Sequence, residues 1–96
     1  MDKNNLSKEA LTDIAKMMAK LLTGRINPNS VYKKDLFTSF GQHSNVLNTH
    51  VGISYYHNDD KFHGNVDGGG HFSGTITSNS IKIICSQSSN RISISY

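Results

Sequence analysis

The stretch His63-Gly-Asn-Val-Asp-Gly-Gly-Gly-His71-Phe-Ser-Gly-Thr75 reads as a strand, a glycine turn and a second strand. Phe62, Gly64 and Val66 alternate with Lys61, His63 and Asn65. Beyond the turn, Phe72, Gly74 and Ile76 alternate with His71, Ser73, Thr75 and Thr77. A period of two marks a half-buried strand. It also assigns faces, because a slip of one residue would turn every apolar side chain to the wrong side. A turn that needs positive φ accounts for two of the three glycines, and the third either leaves room for a ligand or adds slack.

The same alternation extends both ways from this hairpin. Towards the C-terminus, Ser78-Asn79-Ser80 makes a turn, and Ile81, Ile83 and Cys85 then alternate with Lys82 and Ile84. Gln87–Asn90 turns again, and Ile92, Ile94 and Tyr96 alternate with Arg91, Ser93 and Ser95. Towards the N-terminus, Leu47, Thr49, Val51, Ile53 and Tyr55 alternate with Asn48, His50, Gly52, Ser54 and Tyr56. The run His57-Asn58-Asp59-Asp60 supplies the hairpin loop. Short loops of turn formers between such runs predict an antiparallel meander of about five strands over residues 46–96.

The first part of the chain changes period. Over 6–24, Leu11, Ile14, Ala15, Met18 and Leu21/Leu22 recur at helical spacing, with Lys8, Glu9, Thr12, Asp13, Lys16 and Lys20 on the other side. Ser7 is placed to cap the N-terminus, Leu6 and Leu11 to staple it, and Gly24 to end it. A second helix is expected after the break at Asn27-Pro28-Asn29-Ser30, either with Pro28 at its first position after an Asn27 cap or with Ser30 as the cap. Tyr32, Leu36, Phe37 and Phe40 would share its face, Lys33 and Lys34 would meet solvent, and Gly41 would end it; these aromatic residues also suit a strand. The fold expected is α+β: two N-terminal helices (about 6–40) packed on one face of a four- to five-stranded antiparallel meander (about 46–96). All of 1–96 would form a single domain.

Composition narrows the class. The chain has 96 residues, 35% of them hydrophobic, with no Trp, one Cys and five His. A lone Cys85 forms no internal disulfide and suits a small buried hydrophobe. The net charge of +3 and a pI near 9.1 permit an anionic partner without requiring one. The start, Met-Asp-Lys-Asn-Asn, lacks an apolar signal core, and no run approaches transmembrane length. A soluble domain without a membrane partner is expected, exported only as part of something larger.

The polar sheet face carries the functional signal. It collects His50, Ser54, Tyr56, Lys61, His63, Asn65, His71, Ser73, Thr75, Lys82, Arg91, Ser93 and Ser95. The carboxylates Asp59, Asp60 and Asp67 fall in or beside turns. Metal-independent RNA cleavage needs a base for the ribose 2′-OH, an acid for the leaving 5′-oxygen, and cations or hydroxyls for the charged phosphorane. Histidine suits both proton transfers because it titrates near neutrality. His71 and His63 are the expected proton-transfer residues, with Lys61 and Thr75 on the phosphate. His50, Tyr56, Ser73, Lys82 and Arg91 are the expected RNA contacts. The competing reading is a solvated sheet face of a binding domain.

His43, in Gly-Gln-His-Ser-Asn, and His57 read as loop residues. His57, His63 and His71, spaced six and eight apart, match no structural-zinc spacing, so no metal or other cofactor is expected. Gly68-Gly69-Gly70 lacks the Gly-Lys-Ser/Thr of a phosphate loop.

The order of elements, together with His63-Gly64 followed by Gly69-Gly70-His71, resembles the small RNase toxins of the barnase, EndoU, colicin and RelE-like group. Many of these are C-terminal toxin domains of bacterial contact-dependent inhibition systems. The histidine-and-glycine segment is similar to that of bacterial EndoU-like nucleases, although this chain is shorter and has no second lobe. The resemblance implies a metal-independent endoribonuclease acting on RNA, often tRNA, free or carried by a translation factor. It would act in the cytoplasm of a target bacterium, and a cognate immunity protein would neutralise it at home. The alternative is a small non-enzymatic binding protein, such as a phage-encoded inhibitor of a bacterial defence system or an immunity protein. A third reading is an adaptor that uses Arg91–Tyr96 for edge pairing.

Overall fold

The computed structural model describes residues 5–26 and 30–96. One helix, α1 (Lys8–Leu22), is followed by seven strands: β1 (Ser30–Lys34), β2 (Phe37–Ser44), β3 (Thr49–Tyr56), β4 (Lys61–Val66), β5 (His71–Ile76), β6 (Ser80–Cys85) and β7 (Arg91–Ser95). They form a single antiparallel sheet in chain order, β1 to β7. The fold is α+β, as expected. Among the described residues, no helix is long and apolar enough to cross a membrane.

Helix α1 follows its sequence signals. Ser7 is extended, and its hydroxyl accepts from the Ala10 N–H at 3.1 Å, satisfying one of the first-turn donors. At the other end Gly24 N–H donates to Leu21 O and Arg25 N–H to Lys20 O, the paired bonds of a Schellman stop. The apolar stripe Ala10, Leu11, Ile14, Ala15, Met17 and Met18 is buried, so the two methionines are core residues.

The expected second helix is absent. Tyr32 lies in β1 and Phe37 and Phe40 in β2, Leu36 sits in the turn between the strands, and Gly41 lies inside β2 instead of ending a helix. The chain reverses at Asp35-Leu36, where Asp35 takes φ +51°, a left-handed conformation that Asp tolerates better than most residues. Ser30, one candidate cap, begins β1; Asn27 and Pro28 lie outside the described residues. The sheet therefore starts near residue 30, not near 46, and the five expected strands recur as β3–β7. His43, expected in a loop, lies in β2.

The core lies between α1 and one sheet face. That face presents Phe40, Val51, Ile53, Phe62, Val66, Phe72, Ile76, Ile81, Ile83 and Cys85, all buried. The helix packs mainly on β6 and β7 and also reaches β2. At the β2 contact the Ser44 hydroxyl donates to Asp13 Oδ2 at 2.8 Å and accepts from the Leu47 N–H at 3.1 Å. At the other end the Asn90 amide donates to Leu6 O at 2.9 Å. Burial pushes the Cys85 thiol up. Hydrogen bonds from the Ser88 side chain and from the backbone of Gln87, Leu6 and Ser88 outweigh it and bring the thiol below its ordinary value.

The β4–β5 hairpin is fitted tightly. Phe62 pairs with Gly74, and Gly64 with Phe72, so each ring crosses to a position without a side chain. The two rings meet at 6.4 Å. A Cβ on Gly74 would collide with Lys82 O and the Phe62 ring, and one on Gly64 with Gly52 O and the Phe72 ring. The turn takes its positive φ at Gly68 and Gly69. The third glycine, Gly70, is buried, and its carbonyl accepts from the Val66 N–H at 2.8 Å.

Candidate functional site

Register converts the open face into rows of neighbours. Tyr56, Lys61, Thr75, Lys82 and Ser93 lie opposite one another across β3–β7. Ser54, His63, Ser73, Ile84 and Arg91 form the next row, and Gly52, Asn65 and His71 the one after. Directly opposed side chains in such a sheet stand about 4.5–5.5 Å apart at Cβ, and diagonal ones about 7–8 Å. All nine expected site residues project from this face, away from α1.

A broad depression of about 880 Å³ opens over the first two rows. Seven of the nine expected residues line it: Tyr56, Lys61, His63, Ser73, Thr75, Lys82 and Arg91. Ile84, which projects from this face, contributes apolar surface, and Asp59 reaches it from the β3–β4 turn. Four cations and imidazoles therefore share one hollow with one carboxylate at its edge.

His63 is the best-held group in this hollow. Its ring stacks on Tyr56 at 5.5 Å and 26°, and its Nε2 lies 3.2 Å from the Tyr56 hydroxyl. A phenol can donate to or accept from an imidazole, so it orients the ring in either tautomer. Lys61 flanks this pair on its own strand, and Thr75 faces Lys61 from β5.

The other histidines divide into two groups. His71 is exposed and stands diagonal to His63 across β4 and β5, outside the depression; its backbone N–H donates to Gln87 Oε1 at 2.9 Å. His50 is half-buried, farther along the sheet and opposite His43 of β2. The register does not bring His50 to His63. His57 turns to the helix side, where its Nε2 meets the buried Thr38 hydroxyl at 2.5 Å and its ring stacks on Tyr55. Burial, then the nearby Asp60 and Tyr96, push the Tyr55 phenol up, so it stays neutral there. Among the described residues, no three His, Cys, Asp or Glu side chains converge as a metal site requires.

Sequence reasoning missed the aromatic extension of this face. Phe37 and Tyr32, assigned to a helix, continue the site onto β2 and β1. Phe37 lies 5.1 Å from Tyr56, and Tyr32 lies 6.3 Å from Phe37. Their β-branched and aromatic neighbours were the available signal for strands. Comparison with known protein families, with curated proteins and with solved structures gives no match.

Proposed function

We propose that this domain is a metal-independent endoribonuclease whose chemistry is centred on His63. The observation that supports this reading best is the imidazole held by Tyr56 in a hollow that also holds Lys61, Thr75, Lys82 and Arg91. In the reaction the ribose 2′-OH loses its proton to one imidazole, and the 2′-oxygen attacks phosphorus. The bond from phosphorus to the 5′-oxygen breaks, and that oxygen takes a proton from a second group. His63 and His71 divide these two transfers, since their diagonal separation of about 7–8 Å leaves space for a phosphodiester between them. Lys61 and Thr75 offset the charge that grows on the phosphorane, and Lys82 and Arg91 hold the neighbouring RNA backbone. The products are a 2′,3′-cyclic phosphate and a 5′-hydroxyl. With tRNA as the substrate class, the domain would act as a toxin in a bacterial cytoplasm, restrained by an immunity protein.

The test is incubation with total RNA in the presence of a chelator. Discrete fragments with cyclic-phosphate ends are expected, and His63→Ala should slow their appearance by about 10²- to 10⁴-fold without loss of fold. Cutting that stops with chelator moves the chemistry to a metal. Intact RNA under all conditions overturns the nuclease reading.

One observation favours a second reading, a non-enzymatic binding protein. The β1–β2 hairpin exposes Val31, Tyr32 and Leu36, which is more apolar surface than a hairpin tip needs. RNA left intact by a protein that holds one large partner through this hairpin would favour it.

A further inference from the structure

We infer that Tyr32, Phe37 and Tyr56 form a base-stacking platform, and that the site takes its RNA single-stranded. This inference rests on the reading of the open face as an RNA-cleaving surface and names the form of its substrate. The rings follow one another across β1, β2 and β3 on the open face and end on His63 of β4. Ring centroids are separated by 6.3, 5.1 and 5.5 Å along the series. The first contact, inclined at 63°, is edge to face and the second, at 53°, is tilted, so these rings do not cover one another. Tyr32 is 56% exposed and Tyr56 37%.

Cross-strand aromatic pairs also stabilise hairpins, but that role does not require so much of Tyr32 to face water. Stacking on nucleobases does require it. The charge fits an anionic strand. Lys34 sits directly opposite Phe37, and Lys61 sits opposite Tyr56, so a cation accompanies the aromatic row on either side. Bases in a duplex have their faces occupied by neighbouring bases. Only an unpaired strand can offer them to aromatic side chains. Beyond His63 the face changes character, with Lys82 and Arg91 but no aromatic ring on the open side of β6 and β7. Nucleotides on one side of the scissile bond are thus held through their bases, and those on the other through phosphates.

The experiment measures binding separately from cleavage, using 2′-O-methyl RNA, which lacks the nucleophilic hydroxyl. A short labelled single strand of it and the same sequence annealed to its complement are titrated with wild-type protein and followed by anisotropy. The single strand should bind more tightly than the duplex and should quench tyrosine fluorescence. Tyr32→Ala and Phe37→Ala should each weaken single-strand binding by about 5- to 100-fold and leave duplex binding unchanged. Phe37→Leu keeps an apolar side chain but lacks a π face, and it should behave like Phe37→Ala. Equal affinity for the two forms, or wild-type binding by Phe37→Leu and Tyr32→Ala, overturns the platform even if RNA is cleaved. Single-strand binding that depends on Tyr32 and Phe37 supports the platform even where natural RNA stays uncut, an outcome that removes only the nuclease reading.

Discussion

The inner strands of the sheet and its first strand obey one alternation rule and arrive at different outcomes. In β4–β6 each inward side chain is buried in the core, and in β4 and β5 even the half-buried glycines are fitted to rings from the neighbouring strand. In β1 both residues on the helix side, Val31 and Lys33, are exposed, Val31 by 48%, and Tyr32 on the open side is exposed as well. The helix packs on β6, β7 and β2, so its cover ends before the sheet does. The inner strands therefore stabilise the fold, and the β1 end offers a surface that stability does not explain.

Substitutions in the two regions should separate these roles. The largest effect is expected at Gly74→Ala, where the new methyl meets a backbone carbonyl and the Phe62 ring. A loss of about 3 kcal/mol should appear as a lower urea midpoint. A midpoint equal to wild type would mean that the inner strands are not tightly fitted. An intermediate loss, about 1–2 kcal/mol, is expected for Ser44→Ala. That change leaves the Leu47 N–H and one Asp13 oxygen without their partner at the limit of the helix's reach. The smallest effect is expected at Val31→Thr and Leu36→Ser, within about 0.5 kcal/mol of wild type. A clear destabilisation by either would show that the bare end contributes to the core after all, and would erase the contrast.

The contrast also explains what could be read from the sequence. Helix α1 was legible because periodicity, cap and stop agree. Strands β3–β7 were legible because only one of their faces is buried, so apolar and polar residues separate by parity. Strand β1 has no such asymmetry: Val31 and Lys33 share one face, Tyr32 and Lys34 the other, and both faces are wet. In β2 the buried positions include Thr38 and Ser44, whose polarity is answered by His57 and Asp13, residues remote in sequence. Without parity to guide it, the spacing of Tyr32, Leu36, Phe37 and Phe40 imitated a helical face. For the candidate site, alternation placed nine residues on one face, but parity says nothing about neighbours. The approach of Tyr56 to His63 and the separation of His50 from both depend on strand register, which turn lengths and packing fix together.

The strict chain order of the sheet has a consequence for how the domain forms. Each strand closes on its predecessor over a short loop, a step with little entropic cost that proceeds quickly. The helix is different: its main partners are the last two strands, and Leu6 is tied to Asn90 across 84 residues. During synthesis α1 emerges before the strands, yet most of its stripe stays uncovered until β6 and β7 have left the ribosome. Cooperative folding is therefore a late event for a growing chain, and shortening it by residues 91–96 should strip α1 of one of its two main partners and leave Ile81 and Ile83 without the cover of Ile92 and Ile94.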